Sequence, residues 1–135
     1  IENVYKWGLF RYPLRQSWYK DRVILIGDAA HPTLPFLAQG AAMAIEDSFV
    51  LASKIFEFSN SSVAFKEFRR ERFPRVQRVV LASTKNAHIF HLSNIISRMV
   101  FQVSLRFLSK FFPHLLVKRF NWIYDHNVTN KHYSS

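Results

Sequence analysis

Residues 23–52 read VILIGDAAHPTLPFLAQGAAMAIEDSFVLA, and the apolar pattern changes along this stretch. Residues 23–26 form a continuous apolar run that ends at Gly27, which predicts a strand buried on both faces. Residues 27–38 contain a glycine, an aspartate and two prolines, which predicts a loop. Residues 39–57 combine alanine with large apolar side chains and contain no helix breaker, so they predict a helix.

Asp28 follows the predicted strand directly. In open α/β sheets, ligands bind beyond the carboxyl ends of the strands, so this position is a candidate binding site. A carboxylate there can accept hydrogen bonds from the hydroxyl groups of a ribose or ribityl chain. Gly27 allows the chain to turn, and Ala29 leaves room for a flat ligand.

Gly40, Ala41 and Ala42 open the predicted helix. The first N–H groups of a helix have no partner within the helix, and the helix dipole adds positive potential there. Gly40 lets a ligand approach those groups closely, which suits the electron-rich edge of an isoalloxazine ring. The alternative is a plain strand, loop and helix connection in which Asp28 caps the loop.

The pattern GDAAHPxxPxxxQGAxxAxxDxxxLA over residues 27–52 resembles the second flavin-binding motif of the class A flavoprotein monooxygenases. That family includes the para-hydroxybenzoate hydroxylases and, closer in pattern, the salicylate hydroxylase-like enzymes. The resemblance extends to the lead-in at residues 9–18, to an arginine-rich helix at residues 65–77 and to short matches at 89–92 and 122–124. It therefore covers nearly the whole chain, and residues 22–52 are its most diagnostic part.

The resemblance implies a parent protein with an α/β FAD-binding domain and a sheet domain over the substrate. Such an enzyme uses NAD(P)H and O2 to hydroxylate a small aromatic substrate. It implies that the Asp28 carboxylate binds the ribityl chain and that backbone at Pro35 and Gly40 lines the flavin ring. The FAD-binding residues expected on this basis are Gly27, Asp28, Ala29, Pro35, Gly40, Ala41 and Ala42.

Three parts of the family pattern are missing: the glycine-rich loop that holds the pyrophosphate, the middle acidic-glycine motif and most of the substrate domain. The chain has only three glycines, Gly8, Gly27 and Gly40, so no Gly-x-Gly-x-x-Gly is present. We therefore predict a C-terminal fragment whose first partner is the missing N-terminal part of its own chain. Alone, it should bind FAD weakly or not at all and should not turn over.

The sequence divides into three predicted parts. Residues 1–58 are assigned to the end of the substrate sheet domain and the C-terminal part of the FAD-binding domain. Residues 62–124 are assigned to mostly α-helical C-terminal segments and 125–135 to a tail. No secretory signal is visible, which predicts a cytoplasmic protein, and the missing initiator methionine indicates that the N-terminus lies upstream.

Within the helical part, the sequence predicts several boundaries. Ser62 is expected to cap a helix, and Pro74 is expected to kink that helix or to mark a junction. A second helix is predicted over residues 88–112. Pro113 should interrupt it, and a short final helix should cover residues 114–124.

The net charge of +10 is concentrated in the second part of the chain. Residues 1–60 hold six basic and six acidic residues, whereas residues 61–135 hold thirteen and three. The bland interpretation is a solvated arginine-rich helix with ion pairs to Glu67 and Glu71. The functional alternative is a basic helical module without catalysis that contacts an anionic membrane or nucleic acid. Nucleic acid is the weaker partner and is not expected, because no recognition motif accompanies the charge.

Two further residues of the motif receive structural roles. His31 is expected to bond loop backbone, and Asp47 is expected to organise the loop or to pair with an arginine. No catalytic side chain is assigned. No metal is expected, because the chain has no cysteine and the pair His88 and His91 lacks a third ligand.

Overall fold

The computed structural model describes residues 4–5, 8, 12–90 and 93–129. The extended lead-in predicted from Val4 to Tyr12 falls mostly outside these residues, as do His91 and most of the predicted tail. The described chain is mostly helical. Its elements are β1 (Tyr19–Lys20), β2 (Val23–Ile24), two 3₁₀ turns (Gly27–Ala29 and Pro35–Leu37), and helices α1 (Gly40–Glu57), α2 (Ser61–Phe90), α3 (Ile95–Phe111) and α4 (Pro113–Tyr124).

The predicted buried strand is short and one-sided. β2 pairs with β1 in an antiparallel hairpin, with Tyr19 opposite Ile24, and its Val23 is 65% exposed. The prediction of a strand over residues 23–26 buried on both faces is therefore wrong for this structure. A strand is buried on both faces only when other strands and helices flank it, and here the described residues pair it with β1 alone.

The core of the first compact unit, Ile1–Asn86, is organised around Trp18. The indole is fully buried, and its ring contacts those of Phe68 and Phe73 from α2, with centroids 6.0 and 5.7 Å away. Its Nε1–H donates to the carbonyl of Arg15 at 3.0 Å. Leu25 N–H in turn donates to the Trp18 carbonyl at 2.7 Å, so one residue joins the lead-in, the hairpin and α2.

Helix α2 departs from the predicted boundaries. The N–H groups of Ser62 and Val63 both lie within hydrogen-bond distance of the Asn60 side-chain oxygen, so Asn60 rather than Ser62 caps the helix. The helix runs without a break through Pro74, which is therefore not a junction. It ends at Phe90, so the helix expected over 88–112 instead starts at Ile95. The division between the two compact units falls within α2.

The second compact unit, Ala87–Ser135, contains α3 and α4. The Asn94 side chain caps α3 by accepting from the N–H groups of Ile96 and Ser97. Helix α3 contains no buried side chain. Phe112 separates the two helices, and Pro113 occupies the first turn of α4, where its missing N–H costs nothing.

Candidate functional site

The turn after β2 requires a glycine. Gly27 is buried and has a φ of +55°, a conformation that L side chains rarely adopt. A Cβ atom there would lie 3.1 Å from the Cβ of Ala44 on α1. The Gly27 carbonyl accepts from the N–H groups of Ala30 and His31 at 3.0 and 2.9 Å, which closes the turn. The backbone is therefore bent sharply just before Asp28.

Asp28 faces outward from this turn. Asp28 and Ala29 are exposed, and they line an open cleft of about 380 Å³. A Cβ atom on Gly40 would lie 3.6 Å from Asp28 Oδ1, so the carboxylate sits beside the start of α1. The other residues lining the cleft are Tyr12, Pro13, Arg15 and Pro32.

The start of α1 presents free hydrogen-bond donors. The first helical bond runs from the Met43 N–H to the Gln39 carbonyl at 2.9 Å, so the N–H groups of Gly40, Ala41 and Ala42 precede it. The Gln39 side chain makes no capping hydrogen bond. Ala38, just before it, has a φ of +50°, which costs an alanine about 1–2 kcal/mol and is the kind of strain found at functional sites.

The structure places the predicted site residues unevenly. It brings the Gly27 turn, Asp28 and Gly40 together, with Ala29 beside Asp28 in the cleft. Pro35 is exposed at the start of the second 3₁₀ turn and lies outside the cleft lining among the described residues.

A buried carboxylate holds the turn from behind. Asp47 of α1 is fully buried, and its Oδ2 accepts from the Gly27 N–H at 2.9 Å and contacts His31 Nε2 at 2.6 Å. Its Oδ1 accepts from Arg72 Nε at 2.8 Å. The sequence predicted that Asp47 organises the loop or pairs with an arginine, and the structure confirms both roles.

His31 differs from its predicted contact. The side chain is 1% exposed, and its Nε2 contacts the Asp47 carboxylate, not loop backbone. The ring packs on Trp18, with centroids 5.4 Å apart. Its Nδ1 is buried without a hydrogen-bond partner among the described residues. The side chain therefore links the loop to the core through the Asp47 carboxylate and the Trp18 ring.

The arginine-rich face of α2 is partly buried, which corrects the prediction of a solvated face. Arg72 is 2% exposed, and its Nη2 lies 2.7 Å from Glu46 Oε2. Arg75 Nη2 lies 3.1 Å from Glu46 Oε1. Simple charge counting missed this arrangement, because a buried arginine requires carboxylates from another helix, here Glu46 and Asp47 of α1.

These contacts shift the pKa values of both carboxyl groups. Burial raises the pKa of Asp47, but hydrogen bonds from His31, the Gly27 N–H and Arg72 outweigh burial and hold it below the ordinary value of 3.8. Burial also raises the pKa of Glu46, but the hydrogen bond from Arg75 and the charge of Arg72 bring it below the ordinary value of 4.5. Both groups are therefore held as carboxylates in the folded state.

The lowered pKa values predict acid destabilisation. Their contribution to stability is fully present above the ordinary values and is lost as the pH falls through the lowered folded-state values. Urea unfolding from about pH 7 to about pH 2 should therefore show a steeper loss of stability for the native chain than for a variant with Asp47→Asn and Glu46→Gln. Equal slopes for the two proteins would contradict the assignment.

The donor and acceptor groups of the site fit a flavin. The exposed Asp28 carboxylate offers acceptors for hydroxyl groups, and the uncapped α1 start offers N–H donors for a carbonyl or anionic ring edge. The missing Cβ of Gly40 keeps the space between them open. Elsewhere among the described residues, no group of three His, Asp or Glu side chains is placed to hold a metal ion.

Comparison with known proteins agrees with this geometry. A family model described as FAD binding domain matches residues 1–83. Because this match covers more than half of the chain, the chain belongs to that FAD binding domain family.

Three curated relatives show the range of similar enzymes. The chain is 39% identical to a 3-amino-4-hydroxybenzoate 2-monooxygenase of Streptomyces platensis over 67% of this chain and 23% of that protein. It is 36% identical to a 3-hydroxybenzoate 6-hydroxylase of Polaromonas naphthalenivorans over 89% of this chain and 29% of that protein. It is 45% identical to a 6-hydroxynicotinate 3-monooxygenase of Bordetella bronchiseptica over 57% of this chain and 21% of that protein. The matched region thus spans less than a third of the length of each of these relatives.

Proposed function

We propose that the chain is the C-terminal part of an FAD-dependent monooxygenase that hydroxylates a small aromatic ring with NAD(P)H and O2. The names of the three relatives given above refer to hydroxybenzoates or a hydroxynicotinate, which are aromatic carboxylates. These names support a small aromatic ring as the substrate. The same proposal includes the parent α/β fold and a cytoplasmic location. It also assigns residues 1–58 to the end of the substrate sheet domain and the C-terminal part of the FAD-binding domain.

One observation carries the proposal. The Gly27 turn places the exposed Asp28 carboxylate beside Gly40 at the uncapped start of α1. Acceptors for hydroxyl groups and donors for a carbonyl edge therefore lie side by side, as the ribityl chain and ring of a flavin require. A plain loop connection would not need a left-handed glycine, a strained Ala38 and uncapped donors in one place.

The residues of this chain would bind and orient the cofactor. Asp28 would hold the ribityl chain, and backbone at Pro35, Gly40, Ala41 and Ala42 would line the ring. When bound, the flavin supplies the redox chemistry that takes electrons from NAD(P)H and activates O2. The helix N-terminus favours negative charge on the ring edge, and the Asp47 carboxylate keeps the turn in place.

Substitution of Asp28 tests the proposal. In the full-length protein, Asp28→Ala should weaken FAD binding about tenfold or more, because charge-assisted hydrogen bonds to the ribityl hydroxyls are lost. Asp28 is exposed, so the thermal unfolding midpoint of the apoprotein should stay unchanged. Flavin fluorescence titration measures the dissociation constant of FAD for the native apoprotein and for each variant. Asp125→Ala, at an exposed aspartate just after α4 with an ordinary negative φ, is the matched control. An unchanged dissociation constant in Asp28→Ala would remove Asp28 from the site.

A second candidate function is contact with an anionic membrane through α3 and α4. Exposed apolar side chains run along both helices, among them Ile96, Met99 and Phe107. Residues 95–124 contain no acidic residue, so their positive charge is uncompensated. None of the described helices is both long and apolar enough to cross a bilayer. The cations of this segment are Arg98, Arg106, Lys110, Lys118 and Arg119.

Vesicle binding tests this second candidate. The protein should co-sediment with phosphatidylserine vesicles and not with phosphatidylcholine vesicles, and added salt should release it. Replacing Arg106 and Lys110 with glutamine should weaken binding by roughly tenfold or more, since each cation near such a surface contributes about 1 kcal/mol. Lys20→Gln in β1 is the control. Equal binding to both vesicle types, or to neither, would rule this candidate out.

A further inference from the structure

We propose that Arg72 is a positioning residue for the FAD site, although it lies on α2, outside the loop-and-helix motif. It acts through Asp47 on the turn that carries Asp28. This inference rests on the proposed function. It adds that the cofactor affinity depends on a guanidinium that does not line the cleft.

The Arg72 side chain binds helix α1 through several polar contacts. Its Nε donates to Asp47 Oδ1 at 2.8 Å, and its Nη2 lies 2.7 Å from Glu46 Oε2 and 3.4 Å from the Met43 carbonyl. One planar side chain therefore contacts three residues of α1. Only arginine offers donors in this fixed fork, whereas lysine has a single ammonium point.

The Asp47 carboxylate connects Arg72 to the turn at Gly27. Oδ1 takes the Arg72 donor, while Oδ2 accepts from the Gly27 N–H and contacts His31 Nε2. The carboxylate thus joins α2 to the backbone of the turn. The Gly27 carbonyl also accepts from the N–H groups of Ala30 and His31, so hydrogen bonds hold the turn on both sides of Gly27. A change in Asp47 is therefore passed to the adjacent Asp28.

Loss of the Arg72 guanidinium would weaken this connection. Arg72 is 2% exposed, so its removal takes one donor from the fully buried Asp47 carboxylate and one from the partly buried Glu46 carboxylate. A buried charge that loses its partner takes up a proton or moves toward other donors. Either response weakens the acceptor that holds the Gly27 N–H. The Asp28 carboxylate then samples more positions. FAD binding must order this side chain, which lowers the affinity for the cofactor.

A role in stability alone would give a different result. The unfolding midpoint would fall, but the protein that remains folded would bind FAD with native affinity. The two roles therefore separate when FAD binding is measured well below the unfolding temperature of each variant.

The experiment compares full-length apoproteins by flavin fluorescence titration and by the visible absorption spectrum of bound flavin. Arg72→Met should weaken FAD binding by about tenfold, because binding must then also order the Asp28 side chain, and it should alter the flavin spectrum. Arg72→Lys should restore part of the affinity, because its ammonium can reach one carboxylate. Arg70→Gln breaks an exposed pair with Glu67 and should bind like the native protein.

A second variant covers the case in which Arg72→Met does not fold. Asp47→Asn keeps the shape, but its amide must turn NH2 toward either Arg72 or the Gly27 N–H, so one donor faces another. It should weaken FAD binding similarly, and adding Arg72→Met should weaken it by less than the sum of the two. Native affinity and spectrum in either folded single variant would overturn the positioning role. Failure of the native apoprotein to bind FAD would instead overturn the proposed function.

Discussion

Replacing Gly40 with valine is expected to abolish FAD retention by the full-length protein while leaving the apoprotein folded. A Cβ at this position would meet Thr33 Oγ1 at 3.5 Å and Asp28 Oδ1 at 3.6 Å, which are ordinary contacts. The apoprotein therefore has room for a Cβ atom at this position, and we expect its free energy of unfolding to change by no more than about 1 kcal/mol. The added methyl groups would occupy the space between Asp28 and the first N–H groups of α1.

The flavin content of the purified variants measures this effect. Gly40→Ala should retain an intermediate amount, because its single methyl group blocks less of the approach to the helix start. Ala52→Val, an exposed position on the same helix, introduces the same side chain away from the site and should retain FAD fully. Normal flavin content in Gly40→Val would contradict the placement of the ring edge at the start of α1.

Replacing Trp18 with alanine is expected to have the largest effect on stability, about 3–5 kcal/mol. The indole is fully buried between the loop and α2, where it contacts the rings of His31, Phe68 and Phe73. Its removal leaves a cavity and also frees the Arg15 carbonyl that its N–H engages. Chemical unfolding of the apoprotein measures the loss.

The same substitution should also weaken FAD binding, because the segment that Trp18 anchors lines the cleft with Pro13 and Arg15. Trp18→Phe keeps most of the ring and should lose less than half as much stability. Trp122→Ala, a half-buried tryptophan of α4, is the control outside this unit and should leave FAD binding unchanged. A loss below about 1 kcal/mol in Trp18→Ala would show that the indole does not organise this core.

The sequence predicted the order of loop and helix after Gly27 better than it predicted the strand before them. The order of loop and helix after Gly27 follows from local chemistry, since prolines exclude helix and the alanine-rich run favours it. The burial of a strand depends on the strands and helices beside it, and residues 23–26 alone do not determine those neighbours. The prediction of a doubly buried strand failed for this reason, because within the part of the chain that the structure describes β2 pairs with β1 alone.

The ion network behind the site was only partly predictable. Asp47 stood out within the motif, and an arginine partner was expected, but the count of charges gave no reason to choose Arg72 from the arginines of α2. Spacing gives one signal: Phe68, Arg72, Val76 and Val79 fall on one helical face, and all four are buried. An arginine on an apolar helical stripe indicates a buried partner on the facing helix, which a count of charges does not reveal.

In the proposed complex, Asp28 and the start of α1 together hold the flavin. A crystal structure of the full-length protein with FAD tests it most directly. We predict density for the ribityl chain within hydrogen-bond distance of the Asp28 carboxylate, and for the ring edge at the N–H groups of Gly40, Ala41 and Ala42. Density for FAD elsewhere, with Asp28 and the α1 start both facing solvent, would contradict the claim.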